Sequence, residues 1–65
     1  MNALYGTITG NARTYGITFE EIGWKLGMSA NNVRRLLRER KIKYEDLKII
    51  ADYVHLTDAQ KLELL

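Results

Sequence analysis

Cysteine is absent from this chain, and that absence narrows the possible folds more than any residue that is present. At 65 residues, a folded monomer buries only about 60% of the surface its unfolded chain exposes. Domains of this size lean on disulfides, a structural metal, a partner subunit or close helix packing. Without cysteine there is no disulfide, no thiolate zinc or iron–sulfur site and no thiol nucleophile. The single histidine cannot supply a His-rich metal site or most acid–base relays. No nucleophile–base or carboxylate pair has a spacing that points to catalysis. The chain is therefore read as a non-enzyme, with no cofactor, no metal and no small-molecule substrate. With 46% apolar and 28% charged residues, it has the composition of a globular domain rather than a disordered tail. No apolar run approaches the roughly 18 residues of a membrane span, and the N-terminus lacks the basic-then-apolar pattern of a signal peptide. The expectation is one intracellular domain over residues 1–65.

Apolar residues recur at helical spacing throughout, and no stretch alternates as a strand would. The class expected is all-α, with five helices. The first covers residues 2–13, with Leu4, Ile8 and Ala12 as a narrow stripe; Gly6 and Gly10 weaken it by about 1 kcal/mol each. Gly16 suits a left-handed cap at its end. The second starts at Thr18, where Glu21 completes a capping box and Ile17 and Ile22 have the spacing of a hydrophobic staple; it ends at Gly27. The third starts at Ser29 and runs to about residue 40, with Val33, Leu36 and Leu37 inward. The fourth covers residues 44–54, with Leu47, Ile50, Ala51 and Val54 on one face. The fifth starts at Thr57, with Gln60 completing another capping box, and runs to the C-terminus.

Net charge is only +2 overall, but it is unevenly placed. Residues 1–28 are neutral. Residues 29–43 carry Arg34, Arg35, Arg38, Arg40, Lys41 and Lys43 against Glu39 alone, a net +5. Residues 44–65 carry a net −3. A charge run is most often a solvated helix face, so its register decides what it means. Asn31, Arg34, Arg35 and Arg38 stand at i, i+3, i+4 and i+7, one stripe opposite the inward positions. A solvated face mixes acids with bases to gain i,i+4 pairs; this stripe holds none. Arginine grips guanine and asparagine grips adenine by paired hydrogen bonds in the major groove.

Residues 18–40 form one unit: a capped helix, a glycine turn and a second helix. Gly23 allows close approach of the two helices, Gly27 can take a positive φ, and Ile22, Leu26, Val33 and Leu36 set the packing. This is the pattern of a helix-turn-helix. The segment T-F-E-E-I-G-W-K-L-G-M-S-A-N-N-V-R-R-L (residues 18–36) resembles the Cro/C1-type helix-turn-helix domain of phage repressors and related bacterial regulators. Y-E-D-L-K-I-I-A-D-Y-V-H-L-T (residues 44–57) resembles that family's fourth helix and its exit into the fifth.

The resemblance covers about residues 4–65. It implies a compact five-helix domain that binds operator DNA as a homodimer at an inverted repeat and regulates transcription, in the cytoplasm of a bacterium or phage-infected host. Carried over by position, Ala30, Asn31 and Arg35 fall on the family's base-reading sites, with Arg34 and Arg38 adjacent. Ser29 and Phe19 fall near the DNA backbone. Arg40, Lys41 and Lys43 can hold phosphates at the helix end, and the amides near Thr18 and Phe19 offer another phosphate site. The family's glutamate, paired with an arginine on its first helix, is replaced by Leu37, with Ala12 at about the arginine's position. The family's glycine after the third helix is replaced by Glu39.

Tyr53, Leu62, Leu64 and Leu65 form a candidate dimer patch; the plainer reading is that Leu62 and Leu65 complete the core. Trp24 is expected to project from the domain, and Tyr5 and Tyr15 have no assigned role. The alternative function is a protein-interaction module or inhibitor that docks through the basic face or Trp24.

Overall fold

The computed structural model describes residues 3–64. Five helices follow in order: α1 (Ala3–Thr14), α2 (Phe19–Leu26), α3 (Ala30–Arg38), α4 (Tyr44–Tyr53) and α5 (Asp58–Leu64). There is no strand among the described residues, and no helix among them is long and apolar enough to cross a membrane. Asn2, the expected start of the first helix, and Leu65, a member of the expected dimer patch, lie outside the described residues.

The apolar stripes meet in one core. Leu4, Ile8 and Ala12 from α1 join Phe19 and Ile22 from α2 and Val33 and Leu37 from α3. Leu47, Ile50 and Ala51 from α4 complete it, with Val54 and Leu56 from the turn that follows. Full burial of each large side chain stabilises by about 1.5–3 kcal/mol. Leu36 and Leu26, both expected inward, are half-buried at the edge. Ala12 and Leu37, which stand where the resembled family has a charge pair, are 2% and 0% exposed. A packed apolar pair can replace a buried ion pair without loss.

The caps at the helix starts are formed. Thr18 Oγ1 accepts from the Glu21 amide at 3.1 Å, and the Thr18 amide donates to Glu21 Oε1 at 3.1 Å. Ser29 Oγ accepts from the Asn32 amide at 3.1 Å. Thr57 and Gln60 bond reciprocally at 3.0 and 3.1 Å.

Four helices end in the same turn, in which the amide two residues past the cap returns to a carbonyl five residues earlier. The bonds run from Ile17 to Ala12 at 2.8 Å, Met28 to Gly23 at 2.8 Å, Lys41 to Leu36 at 2.9 Å and Leu56 to Ala51 at 2.9 Å. Each turn needs one left-handed residue. Gly16 and Gly27 fill that position twice, and Arg40 (φ 54) and His55 (φ 58) fill it in the other two. This corrects the expected third helix. It stops at Arg38 rather than running to residue 40, because Arg40 takes the left-handed conformation that the sequence does not announce with a glycine.

Gly23 sits where α2 meets the start of α3. A Cβ there would press on the carbonyl oxygen of Met28 and lie 3.2 Å from Ser29 C and 3.3 Å from Ala30 N. The close approach is therefore to the turn backbone rather than to the body of α3.

The C-terminal helix is held differently. None of the described residues of α5 is buried. Leu64 at its end packs against the core, and its other ties are polar: the Asn11 carboxamide of α1 donates to Val54 O at 3.1 Å, to His55 O at 3.3 Å and to Gln60 Oε1 at 3.1 Å. Gln60 Nε2 returns to Asn11 Oδ1 at 3.3 Å. Lys61 adds an ion pair to Asp52 at 3.1 Å. One side chain thus joins α1 to the end of α4 and the start of α5.

Candidate nucleic-acid interface

The outer face of α3 is set by its two buried residues. Val33 and Leu37, both 0% exposed, fix the helix's rotation, and the stripe opposite them is turned outward. Asn31, Arg35 and Arg38 are exposed; Ala30 and Arg34 are half-buried. At nine residues, α3 is about 14 Å long, comparable with a major groove about 12 Å wide. Arg40, Lys41 and Lys43 are all exposed beyond its end.

The stripe divides into two groups. Arg34 lies over the Phe19 ring, 4.9 Å from its centroid, and donates to Asn31 Oδ1 at 3.0 Å. Arg38 lies over the Tyr5 ring at 4.7 Å and donates to the Tyr5 hydroxyl at 3.2 Å. The Tyr5 and Phe19 rings themselves stack, 5.9 Å apart and 16° from parallel. Arg35 has contacts on its own helix: Asn32 Oδ1 at 2.7 Å and Glu39 Oε1 at 3.5 Å. Glu39 also lies 3.7 Å from the Lys41 ammonium. The expectation of a basic stripe without an acid is corrected here, because Glu39, one helical turn on at i+4, pairs with Arg35. Both partners are about half exposed, so the pair is worth roughly 0–1 kcal/mol and exchanges readily with another anion.

Of the residues expected to touch phosphates, Ser29 is exposed with its hydroxyl engaged in capping. Phe19 is buried, at 8% exposure. Thr18 is exposed, but its amide and hydroxyl both bond Glu21 Oε1, so the amide is spoken for by a carboxylate. A shallow cleft of about 290 Å³ opens beside it, lined by Thr9, Arg13, Thr18, Phe19, Glu20 and Arg34 among others. Thr9 Oγ1 is buried there without a hydrogen-bond partner.

The expected dimer patch is split. Tyr53 is half-buried, donates its hydroxyl to Glu21 Oε2 at 3.0 Å and lies under the Lys25 ammonium at 5.0 Å. Leu64 packs against the core. Leu62 is 88% exposed, which overturns the plainer reading that it completes the core: α5 turns that side of itself outward. Trp24 projects as expected, at 86% exposure.

The Glu21–Tyr53 bond joins α2 to α4 and shifts both groups. The Thr18 amide, then the Tyr53 hydroxyl, hold the Glu21 carboxyl below its ordinary value. The carboxylate in turn raises the Tyr53 phenol. No cluster of three or more His, Cys, Asp or Glu residues is placed to hold a metal among the described residues.

Three features of the structure escaped sequence reasoning. Tyr5 bonds a residue 33 positions away, so no local pattern marks it. Arg13 shares the cleft with Arg34 only because α1 packs against α3. Asn11 reads as one polar residue on a helix and proves to be the α5 anchor. No family model matches the chain, nor does any curated protein sequence or solved structure.

Proposed function

We propose that the protein binds double-stranded DNA sequence-specifically, as a homodimer on an inverted repeat, and regulates transcription in the manner of the Cro/C1-type repressors it resembles. The observation that carries this reading is the outward face of α3. It presents Asn31, Arg34, Arg35 and Arg38, continued by Arg40, Lys41 and Lys43, on a helix whose rotation is locked by two fully buried residues. In this reading α3 enters the major groove, with Asn31 and arginines at base edges and the basic turn on phosphates. The domain measures 28 × 24 × 21 Å. Two copies side by side can therefore set their α3 helices about 34 Å apart, one turn of DNA. A phage or mobile element and a bacterial cytoplasm are the setting that goes with the resemblance.

The experiment is selection of binding sites from random duplexes by the purified chain, followed by binding to the selected site over a range of salt. An enriched two-fold motif and a steep fall of affinity with salt are expected. Arg35→Ala should relax one base position and cost about 1–3 kcal/mol. If no motif is enriched, or if Arg35→Ala binds as wild type does, the reading is wrong.

A second reading, docking on another protein, is favoured by one observation: the 86% exposed Trp24 beside a cleft of about 470 Å³ lined by Glu20, Glu21, Lys25 and Tyr53. An exposed indole is a frequent anchor in protein interfaces. Trp24→Ala should leave DNA binding unchanged and abolish capture of a host protein if this reading holds.

A further inference from the structure

We propose that the α2–α4 face centred on Trp24 is where a second copy of this chain docks, in a two-fold pairing that brings each indole into the partner's cleft beside Tyr53. The inference rests on the homodimer of the first reading above. It names the surface of that dimer and gives Trp24 to it rather than to a different protein.

Trp24 is turned outward because Ile22 and Gly23 hold the inner side of the same two-turn helix. At 86% exposure its ring is in water almost entirely, where a partner can bury it. Beside it lies the cleft of about 470 Å³, within the range of about 300–1,000 Å³ that takes small ligands, so an indole fits. The cleft wall is fixed in advance. The Tyr53 hydroxyl donates to Glu21 Oε2 at 3.0 Å, and Glu21 Oε1 accepts from the Thr18 amide at 3.1 Å. A wall already ordered loses little freedom on binding. Ile49, one helical turn before Tyr53 on α4, is 44% exposed and extends the apolar surface. Two Trp24 side chains bury about 300–500 Å² of the roughly 1,200 Å² of a stable interface.

Charge argues for a second copy as the occupant. Three charged residues line the cleft: Glu20, Glu21 and Lys25. Both oxygens of Glu21 are engaged within the chain, which leaves Glu20 and Lys25, one of each sign and both exposed. An apolar centre flanked by balanced opposite charges is complementary to itself under a two-fold axis. With the axis between Glu21 and Trp24 and the two α2 helices antiparallel, Glu20 stands opposite the partner's Lys25, and Lys25 opposite the partner's Glu20. An inverted repeat requires the same two-fold symmetry. The patch draws on α2 and α4 and on no residue of α3, so the basic stripe stays uncovered. The patch expected on α5 offers less, because Leu64 packs against the core and leaves Leu62 by itself at 88% exposure.

Sedimentation equilibrium of the full chain without DNA reads the dimer constant. Wild type should dimerise. Trp24→Ala, a change at an exposed site that leaves the core intact, should weaken the dimer at least about a hundred-fold, as loss of an interface anchor from both copies does. Leu62→Glu should leave the dimer unchanged. Glu20→Lys and Lys25→Glu should each weaken self-association roughly three- to ten-fold, since each sets like charges across the axis. Mixed in equal amounts, these two variants should pair with each other at least as tightly as wild type pairs with itself. On the duplex selected by wild type, Trp24→Ala should lose affinity for the two-fold site and bind a single half-site as wild type does.

A wild-type dimer that Trp24→Ala leaves intact, or that Leu62→Glu dissociates instead, overturns the assignment and returns the Trp24 face to a different protein. Failure of the two charge variants to pair when mixed overturns the two-fold arrangement. A wild-type chain that is monomeric both free and on its selected site removes the homodimer itself, and the two failures are thereby told apart.

Discussion

Replacing glycine by alanine inside a helix ordinarily stabilises it, and this protein should reverse the sign at one position out of three. Gly6 and Gly10 of α1 are exposed, and a Cβ at either meets nothing within 4 Å. Gly6→Ala and Gly10→Ala should each stabilise the fold by about 0.5–1 kcal/mol. Gly23→Ala has the same propensity gain, about 1 kcal/mol, but its methyl is driven into the Met28 carbonyl and lies 3.2 Å from Ser29 C.

The three nearest atoms are all backbone, so side-chain rotation does not relieve the overlap. The turn cannot retreat freely either. The Met28 amide is bonded to Gly23 O at 2.8 Å, and the Ser29 cap starts α3 immediately afterwards. Overpacking costs about 1–3 kcal/mol, and loosening either hydrogen bond adds about 1 kcal/mol. The net expectation is destabilisation by about 1–3 kcal/mol, a large share of the roughly 3–5 kcal/mol available to a domain of this size. Thermal melts followed by far-UV circular dichroism at one fixed protein concentration read this directly, since about 1 kcal/mol moves the midpoint by about 4–8 °C. Trp24 fluorescence is a poor probe because the indole is 86% exposed in the folded state. A Gly23→Ala midpoint equal to or above wild type, with Gly10→Ala raised as expected, would refute the close approach of α2 to the turn backbone before α3.

Four further substitutions test other parts of the structure. Asn11→Ala removes the carboxamide that ties α1 to the α4 end and to Gln60; a loss of about 1–3 kcal/mol and fast hydrogen exchange in α5 are expected, and unchanged exchange there would refute the anchor. Arg40→Gly relieves a left-handed residue at φ 54 and should stabilise by about 0.5–1 kcal/mol while weakening duplex binding, so a drop in melting temperature contradicts the helix-end assignment. Glu21→Gln tests pH dependence. The folded Glu21 carboxyl is held below its ordinary value, so the stability it contributes is present above the ordinary carboxylate range and is lost as pH falls through the lower folded value. Wild type should lose melting temperature more steeply in acid than Glu21→Gln, whose amide can keep the capping box, and parallel profiles would contradict the coupling. At the alkaline end the Tyr53 phenol is raised; the stability it contributes is lost as pH rises above the ordinary tyrosine range, and Tyr53→Phe should flatten that limb.

What could be read without coordinates was whatever depends on neighbours in sequence. Leu4, Ile8 and Ala12, and likewise Leu47, Ile50, Ala51 and Val54, were expected inward and are buried, because a 3.6-residue period places them on one face whatever they pack against. The caps at Thr18, Ser29 and Thr57 span three residues and formed as their spacing predicts. Gly27 marks its turn because a left-handed residue is cheapest without a side chain.

The tertiary structure decided the rest. The stop of α3 depends on Arg40 accepting a left-handed conformation, φ 54, that its side chain disfavours. The attachment of α5 depends on Asn11, more than forty residues from its partners. The basic stripe shares one helix face by its spacing, yet Tyr5 and Phe19 divide it by drawing Arg34 and Arg38 aside. Local spacing sets which side chains share a helix face. Which of them remain available to a partner is set by what the other helices bring to that face, and that is a property of the folded chain.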